Sequence, residues 1–462
     1  MTRRARRCFA ALAALVLLAT PAPRAAAMSY QGERDLGRRF DLAARQQFPL
    51  IADPEVVDYL NGIGRRIAGG LDGSYFDYRF TVVRDPRINA FAVPGGYVYV
   101  HSGLIANAKS DDEVASVLAH EIGHVHAHHL VRQQEATELL NYASVLGMLL
   151  AVVQPVAGAA AVAANQAVAL QYRREFEQEA DYLGARYMQS AGYDPRAMLD
   201  FFKQLADDAR NGPTAAPPYL QTHPMTDERL NRLEAVMKTN QWAPRQRPPA
   251  SFALRRAQAL VRVRAEKADD ALAYYRQQLD QQPDDATAQY LYGLVCLEAG
   301  QLEAAGAALS AAQAGGLAAA PRELGRLALR QRRFDDARRL LAGFVESQPD
   351  DAGARVELGK VLEAQGDRAA AMAEYHRALE LAPQLEAAQY GYGILAGRAG
   401  QPADGFYHLA TAARLKGDYA TALSQYARAA AMLPADDPRG DDARQWSAAL
   451  SEFLQVPVPQ AE

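Results

Sequence analysis

His120-Glu121-Ile122-Gly123-His124 reads HExxH and lies in a stretch, Asp111 to about Gln134, whose composition predicts one continuous helix. Histidines four residues apart on a helix project from one face, one turn above the other, so two such imidazoles grip a single zinc ion. Glu121 lies about 100° around the helix from His120, near such an ion without ligating it, where a carboxylate takes a proton from activated water. The plain alternative is a solvated, histidine-rich helix, because His126, His128 and His129 follow at once. A catalytic zinc needs a third protein ligand and an open fourth position. Glu177-Gln178-Glu179-Ala180-Asp181, an ExxxD pattern further along, supplies a candidate. It follows the polar run Gln171 to Arg174 and precedes Leu183-Gly184, so it is predicted to open a second helix with Glu177 and Asp181 on one face. Glu177 is the expected third ligand. Asp181, one turn on, is expected to orient a ligand histidine or to handle a proton. These residues imply a zinc-dependent hydrolase, a peptidase before other hydrolases.

Four segments in this order resemble one family: HEIGH at 120–124, FEQEAD at 176–181, Thr222-His223-Pro224, and the upstream stretch from Asn89-Ala90-Phe91 through Pro94-Gly95-Gly96 to Val100. Together they are similar to the gluzincin peptidases, which include HtpX, the CAAX prenyl endopeptidases and the BepA-like periplasmic proteases. The resemblance covers about residues 30–240, or the whole chain if the helical tail is included. It implies one Zn2+ per chain held by His120, His124 and Glu177, with Glu121 as general base and Asp181 and His223 as further catalytic residues. Two roles stay open for His223. It meets the oxyanion of the transition state, with Arg229 in support, or it occupies the fourth zinc position and holds the enzyme inactive until something moves it.

The chain has 462 residues and a formal charge of −4. Arg3, Arg4, Arg6 and Arg7, then the apolar run Cys8 to Ala19, then Ala25-Ala26-Ala27 follow the order of a cleaved secretory signal, assigned to residues 1–27. A membrane anchor is the competing reading, but the run is about 12 residues where a span needs about 20, and Pro21 and Pro23 break it. Of the two cysteines, Cys8 leaves with the signal, so Cys296 has no intramolecular partner. Removing the arginines of the signal makes the remainder more acidic, which argues against nucleic-acid binding. The expected location is the periplasm.

The composition changes near residue 245, dividing the chain into a peptidase domain (28–243), a proline-rich linker (244–252) and a repeat domain (253–455). In the first, Asp53-Pro54-Glu55 is a helix start, Tyr78 to Val83 and Tyr97 to Val100 are strands, and Gly95-Gly96 is a tight turn. The expected fold is an α+β gluzincin-type domain, mostly helical with a small sheet, followed by an all-α tetratricopeptide-repeat solenoid. Leu358-Gly359, Ala371, Tyr375, Ala378 and Pro383 form the best repeat unit, and Pro349 and Pro383 mark a period of about 34 residues. Ala271, Tyr275 and Pro283 begin four or five repeats; Ala422, Tyr426, Ala429 and Pro434 end them, and a last helix runs near Asp441 to Phe453. No repeat boundary is legible between Gln384 and about Asp418.

Residues 139–170 form two apolar arms of about 15 residues split at Gln154-Pro155, short of a span and expected to be a hairpin that covers the site or leans on a membrane surface. An edge strand Tyr97 to Val100 would hold an extended peptide by its backbone, and the concave face of the repeats would choose the client. The expected clients are unfolded or misassembled envelope proteins. Resemblance to the BepA-like branch adds outer-membrane β-barrel proteins and their assembly machinery, with chaperone-like assistance. The alternative is a repeat scaffold or chaperone carrying a largely non-catalytic zinc domain.

Overall fold

The computed structural model describes residues 28–71, 73, 75–137, 174–211, 217–240, 242 and 249–459. The expected signal, the apolar segment 139–170 and most of the linker lie outside the described residues. Among the described residues, no helix is long and apolar enough to cross a membrane.

The first helix, α1 (Tyr30–Gln47), starts where the Ser29 side chain accepts the Gly32 N–H, and a short strand β1 (Leu50–Ile51) follows. Helix α2 (Pro54–Ala68) begins as its sequence dictates, with Asp53 capping the Glu55 N–H and Pro54 in the first turn. Strands β2 (Arg79–Val83), β3 (Ala90–Val93) and β4 (Tyr97–His101) complete a four-stranded sheet of order β1-β2-β4-β3. β2 and β4 are parallel, whereas β3 and β4 form an antiparallel hairpin in which Val93 faces Tyr97. The hairpin turns on Gly95 and Gly96, whose φ values of 84° and 91° few other residues adopt. Alternation along β4 sends Tyr97 and Tyr99 to one face, against Leu36, Phe40 and Ala44 of α1. Val98 and Val100 point to the other, against Val56, Leu60 and Val114. Both faces are therefore covered. The strand Tyr97 to Val100, expected at an edge, lies between β2 and β3; the edge near the site is β3.

After α3 (Ser102–Asn107) comes α4 (Asp111–His126), buried at every position from Asp112 to Val125. A variant of the capping box starts it: Ser110 accepts the Glu113 N–H, and the Glu113 carboxylate accepts from the N–H of Lys109, the residue before the cap. The single helix expected to about Gln134 stops at His126. His128 takes a left-handed φ of 54° and α5 (His129–Thr137) sets off afresh. The break has a side-chain cause, since Glu33 of α1 holds the His128 ring at 2.8 Å while His129 turns inward and stacks on Phe176. Helices α6 (Arg174–Ser190), α7 (Arg196–Asn211), α8 (Tyr219–Thr222) and α9 (Asp227–Thr239) complete the domain.

Twelve further helices follow among the described residues, in antiparallel succession: α10 (Phe252–Ala265), α11 (Ala268–Gln281), α12 (Ala286–Glu298), α13 (Leu302–Ala314), α14 (Ala320–Arg330), α15 (Phe334–Ser347), α16 (Ala352–Ala364), α17 (Arg368–Leu381), α18 (Glu386–Arg398), α19 (Pro402–Lys416), α20 (Tyr419–Met432) and α21 (Pro438–Leu454). The stretch without a legible boundary is the regular pair α18 and α19. There Gly391 receives the Tyr375 ring and Gly393 lies against Leu409, so the glycines that blur the consensus are contact points. Both ends of the array rest on the first domain. At its start, Gln258 and Arg262 of α10 donate to the carbonyls of Ile105, Ala106 and Ala108. At its end, the Tyr419 hydroxyl donates to the Leu42 carbonyl at 2.7 Å and Arg39 pairs with Glu452 at 2.7 Å, so α20 and α21 close onto α1.

Candidate metal centre

Helices α4 and α6 cross closely enough that a Cβ added to Gly184 would stand 3.1 Å from the backbone of Ala119 and His120. This contact brings the two motifs together. His120 Nε2 lies 3.0 Å from His124 Nε2, and the Glu177 carboxylate is 3.6 Å from the first and 3.4 Å from the second. His223, at the end of α8, places Nδ1 3.3 Å from His120 Nε2 and 2.9 Å from Glu177 Oε1. One ligand atom from each of these four buried residues falls within 4.8 Å of all the others. Glu121, fully buried, has an oxygen 3.5 Å from His223 Nε2. All six residues expected at the site, Asp181 included, thus converge.

The partners of the two imidazoles decide which nitrogens are bare. Asp181 Oδ1 stands 3.0 Å from His120 Nδ1 and accepts from an N–H there, the tautomer that leaves Nε2 its lone pair. His124 Nδ1 meets His129 Nδ1 at 2.8 Å, and the far nitrogen of His129 meets Glu179 at 3.1 Å. Burial lowers the pKa of His129 to about 4, and a neutral ring that gives its one N–H to Glu179 accepts from His124 at Nδ1. In that tautomer His124 Nε2 carries a lone pair as well. Two lone pairs and a carboxylate facing one another in a buried space repel unless a cation lies between them, so the donor set fits a metal ion.

Arg229 of α9 locks the carboxylates, meeting Asp181 at 2.6 and 2.8 Å and Glu177 at 2.6 Å. Burial opposes ionisation of Glu177, yet Arg229 and then His223 hold its carboxyl well below the usual range. Asp181 is lowered in the same way, with Arg229 overcoming burial. Glu121 goes the other way: burial raises its pKa against the pull of His223 and His120, which suits a proton acceptor. Sequence reasoning missed the layer of His129, Glu179 and Arg132, which bonds Glu179 at 2.8 Å. The signal was present in the histidine run after His124, which entered there only as part of the alternative of a solvated helix; His129 is fully buried.

Fold and site together define a metallopeptidase-type domain joined to a helical-repeat array. Residues 55–237 match peptidase family M48, and 256–321 and 322–386 each match a tetratricopeptide-repeat family, so the chain carries an M48 domain followed by these repeats. Among curated proteins it is similar to the putative beta-barrel assembly-enhancing protease of Vibrio cholerae, 36% identical over 274 residues that cover 56% of each chain. The beta-barrel assembly-enhancing protease of Escherichia coli (strain K12) is 35% identical over 225 residues, 47% of this chain and 46% of that one. The mitochondrial metalloendopeptidase OMA1 of Arabidopsis thaliana is 36% identical over 152 residues, 33% of this chain and 30% of that one. The chain spans about half the length of the beta-barrel assembly-enhancing proteases it matches.

Proposed function

We propose that the protein is a zinc-dependent endopeptidase of the periplasm that degrades misfolded or misassembled envelope proteins, outer-membrane β-barrel proteins foremost. The observation that carries this reading is the convergence of the Nε2 atoms of His120 and His124 with the Glu177 carboxylate, Glu121 alongside. A tetrahedron of bonds near 2.0 Å has ligand atoms about 3.3 Å apart, and the observed 3.0–3.6 Å suits zinc. The names of the relatives support peptide hydrolysis and barrel proteins as substrates. Such an ion supplies Lewis-acid chemistry to a scissile carbonyl and acidifies water at neutral pH. The chain does the rest. Glu121 accepts the proton of the attacking water and passes it to the leaving amine, while Asp181 fixes the His120 ring and Arg229 fixes both carboxylates. Edge strand β3 holds the substrate backbone, and the repeats select the client.

His223 aims Nδ1 into the ligand set, which favours the fourth-ligand role and a self-closed resting state over the oxyanion role. The test is metal analysis with turnover on an unfolded barrel protein. Glu121→Gln should keep one zinc per chain and lower the rate by roughly 10²–10⁴-fold. Full phenotype without turnover would favour the scaffold. His223→Ala should raise basal cleavage; a loss of cleavage would return His223 to the oxyanion.

A further inference from the structure

A second polar cavity, of about 350 Å³, lies between the first domain and the end of the repeat array. Arg34 and Arg38 of α1, Arg79 of β2 and Arg414 of α19 line it, with Asp77 and Asp442 as its carboxylates. Asp442 already accepts the Tyr407 hydroxyl at 2.8 Å. Arg414 is the informative residue. It is only 4% exposed, yet its partners are neutral: the Tyr426 hydroxyl at 3.2 Å, the Gln384 side-chain oxygen at 3.3 Å and the face of Trp446 at 4.1 Å. Asp41, the carboxylate that responds to its charge, is held by Arg45 at 2.8 Å and by the Tyr99 hydroxyl. Arg79 also has a neutral partner, the Tyr97 hydroxyl at 3.4 Å. A buried guanidinium without a carboxylate is costly to keep, and bidentate pairing with an oxyanion is the chemistry it is built for.

Glu33, Val93 and Pro94 line a narrow space of about 10 Å³ together with His124, and the next residues along the chain, Arg34 and Gly95, line the arginine cavity. The α1 start and the β3–β4 turn thus contribute to both.

We propose that this cavity binds a carboxylate of the polypeptide client, foremost its C-terminal carboxylate, while the client lies along β3. The amides of Gln384 and Gln445 and the indole of Trp446 among the arginines suit a peptide end better than a bare phosphate. This deepens the peptidase reading and rests on it.

Binding by full-length protein carrying Glu121→Gln tests it without cleavage, using an extended peptide with no side-chain charge, as the free acid and as the C-terminal amide. The acid should bind about tenfold more tightly, by an advantage that shrinks with salt. Arg414→Gln should erase most of that difference and leave amide binding unchanged. Arg79→Gln, at an exposed position, does the same where the buried substitution disturbs folding. Inorganic phosphate should displace the acid and not the amide. Equal binding of acid and amide, or a difference that survives both substitutions, overturns the proposal; phosphate binding alongside equal peptide affinities would mark a free-anion site instead. Absence of hydrolysis by the parent protein would count against the peptidase reading alone, because acid-over-amide binding is read separately.

Discussion

His120 is gripped from both sides: Nε2 faces the ligand cluster while Nδ1 is fixed by Asp181, which is fixed in turn by Arg229. Removing the charge at Asp181 therefore acts on a ring it does not resemble chemically. Asp181→Asn should lower metal affinity by roughly 10–100-fold, read by competition with a chelator, while Arg229 keeps its hold on Glu177. His120, Glu121, His124, Glu177 and Asp181 were legible because helical periodicity turns HExxH and ExxxD into faces without any knowledge of the fold, whereas His223 was reached only through the resemblance of its segment to the family's. The layer behind them was not. His129 acquires its role only because the chain breaks at His128 and turns the next ring inward, and Glu33, which enforces the break, comes from a helix far away in sequence.

Close approach of two helices sets the spacing of the ligands. Gly123 lies under Ala180, and Gly184 lies against Ala119 and His120, with Met198 filling the remaining side. A side chain at Gly184 would separate α4 from α6 and move Glu177 away from the imidazoles. Gly184→Leu should cost about 1–3 kcal/mol in stability and lose metal in the same protein, seen as a lower melting temperature and sub-stoichiometric metal content. Retention of both would show that the crossing tolerates a shift. The strands and the Gly95-Gly96 turn were legible from alternation and from glycine chemistry. The identity of the edge was not, because strand order is a non-local property: β4 pairs with β2 across an intervening hairpin partner, leaving β3 outermost.

Charge joins the two domains as much as apolar packing does. Glu55 of α2 meets Arg256 of α10 at 2.5 Å and Arg322 of α14 at 2.8 Å; Glu323 in turn meets Arg256 at 2.8 Å and Arg326 at 2.6 Å. The core is continuous there too, with Leu104 and Val114 in one cluster with Leu254 and Leu294. Glu55→Ala would remove the carboxylate the two guanidiniums share, while Arg256 keeps Glu323 and Arg322 keeps Asp351. The expected loss is about 1–3 kcal/mol, measured by denaturant unfolding. A change under 1 kcal/mol would mean that water replaces the carboxylate there. The division of the chain near residue 245 was plain from composition. The return of its last helices to α1 was not, since Leu42 with Tyr419 and Arg39 with Glu452 are contacts between opposite ends of the sequence. A free solenoid flexes like an open spring, each turn yielding a little to its load. Buckled to one body at both ends, this one is a belt, whose turns cannot spread apart without breaking the contacts of α10 or those of α20 and α21.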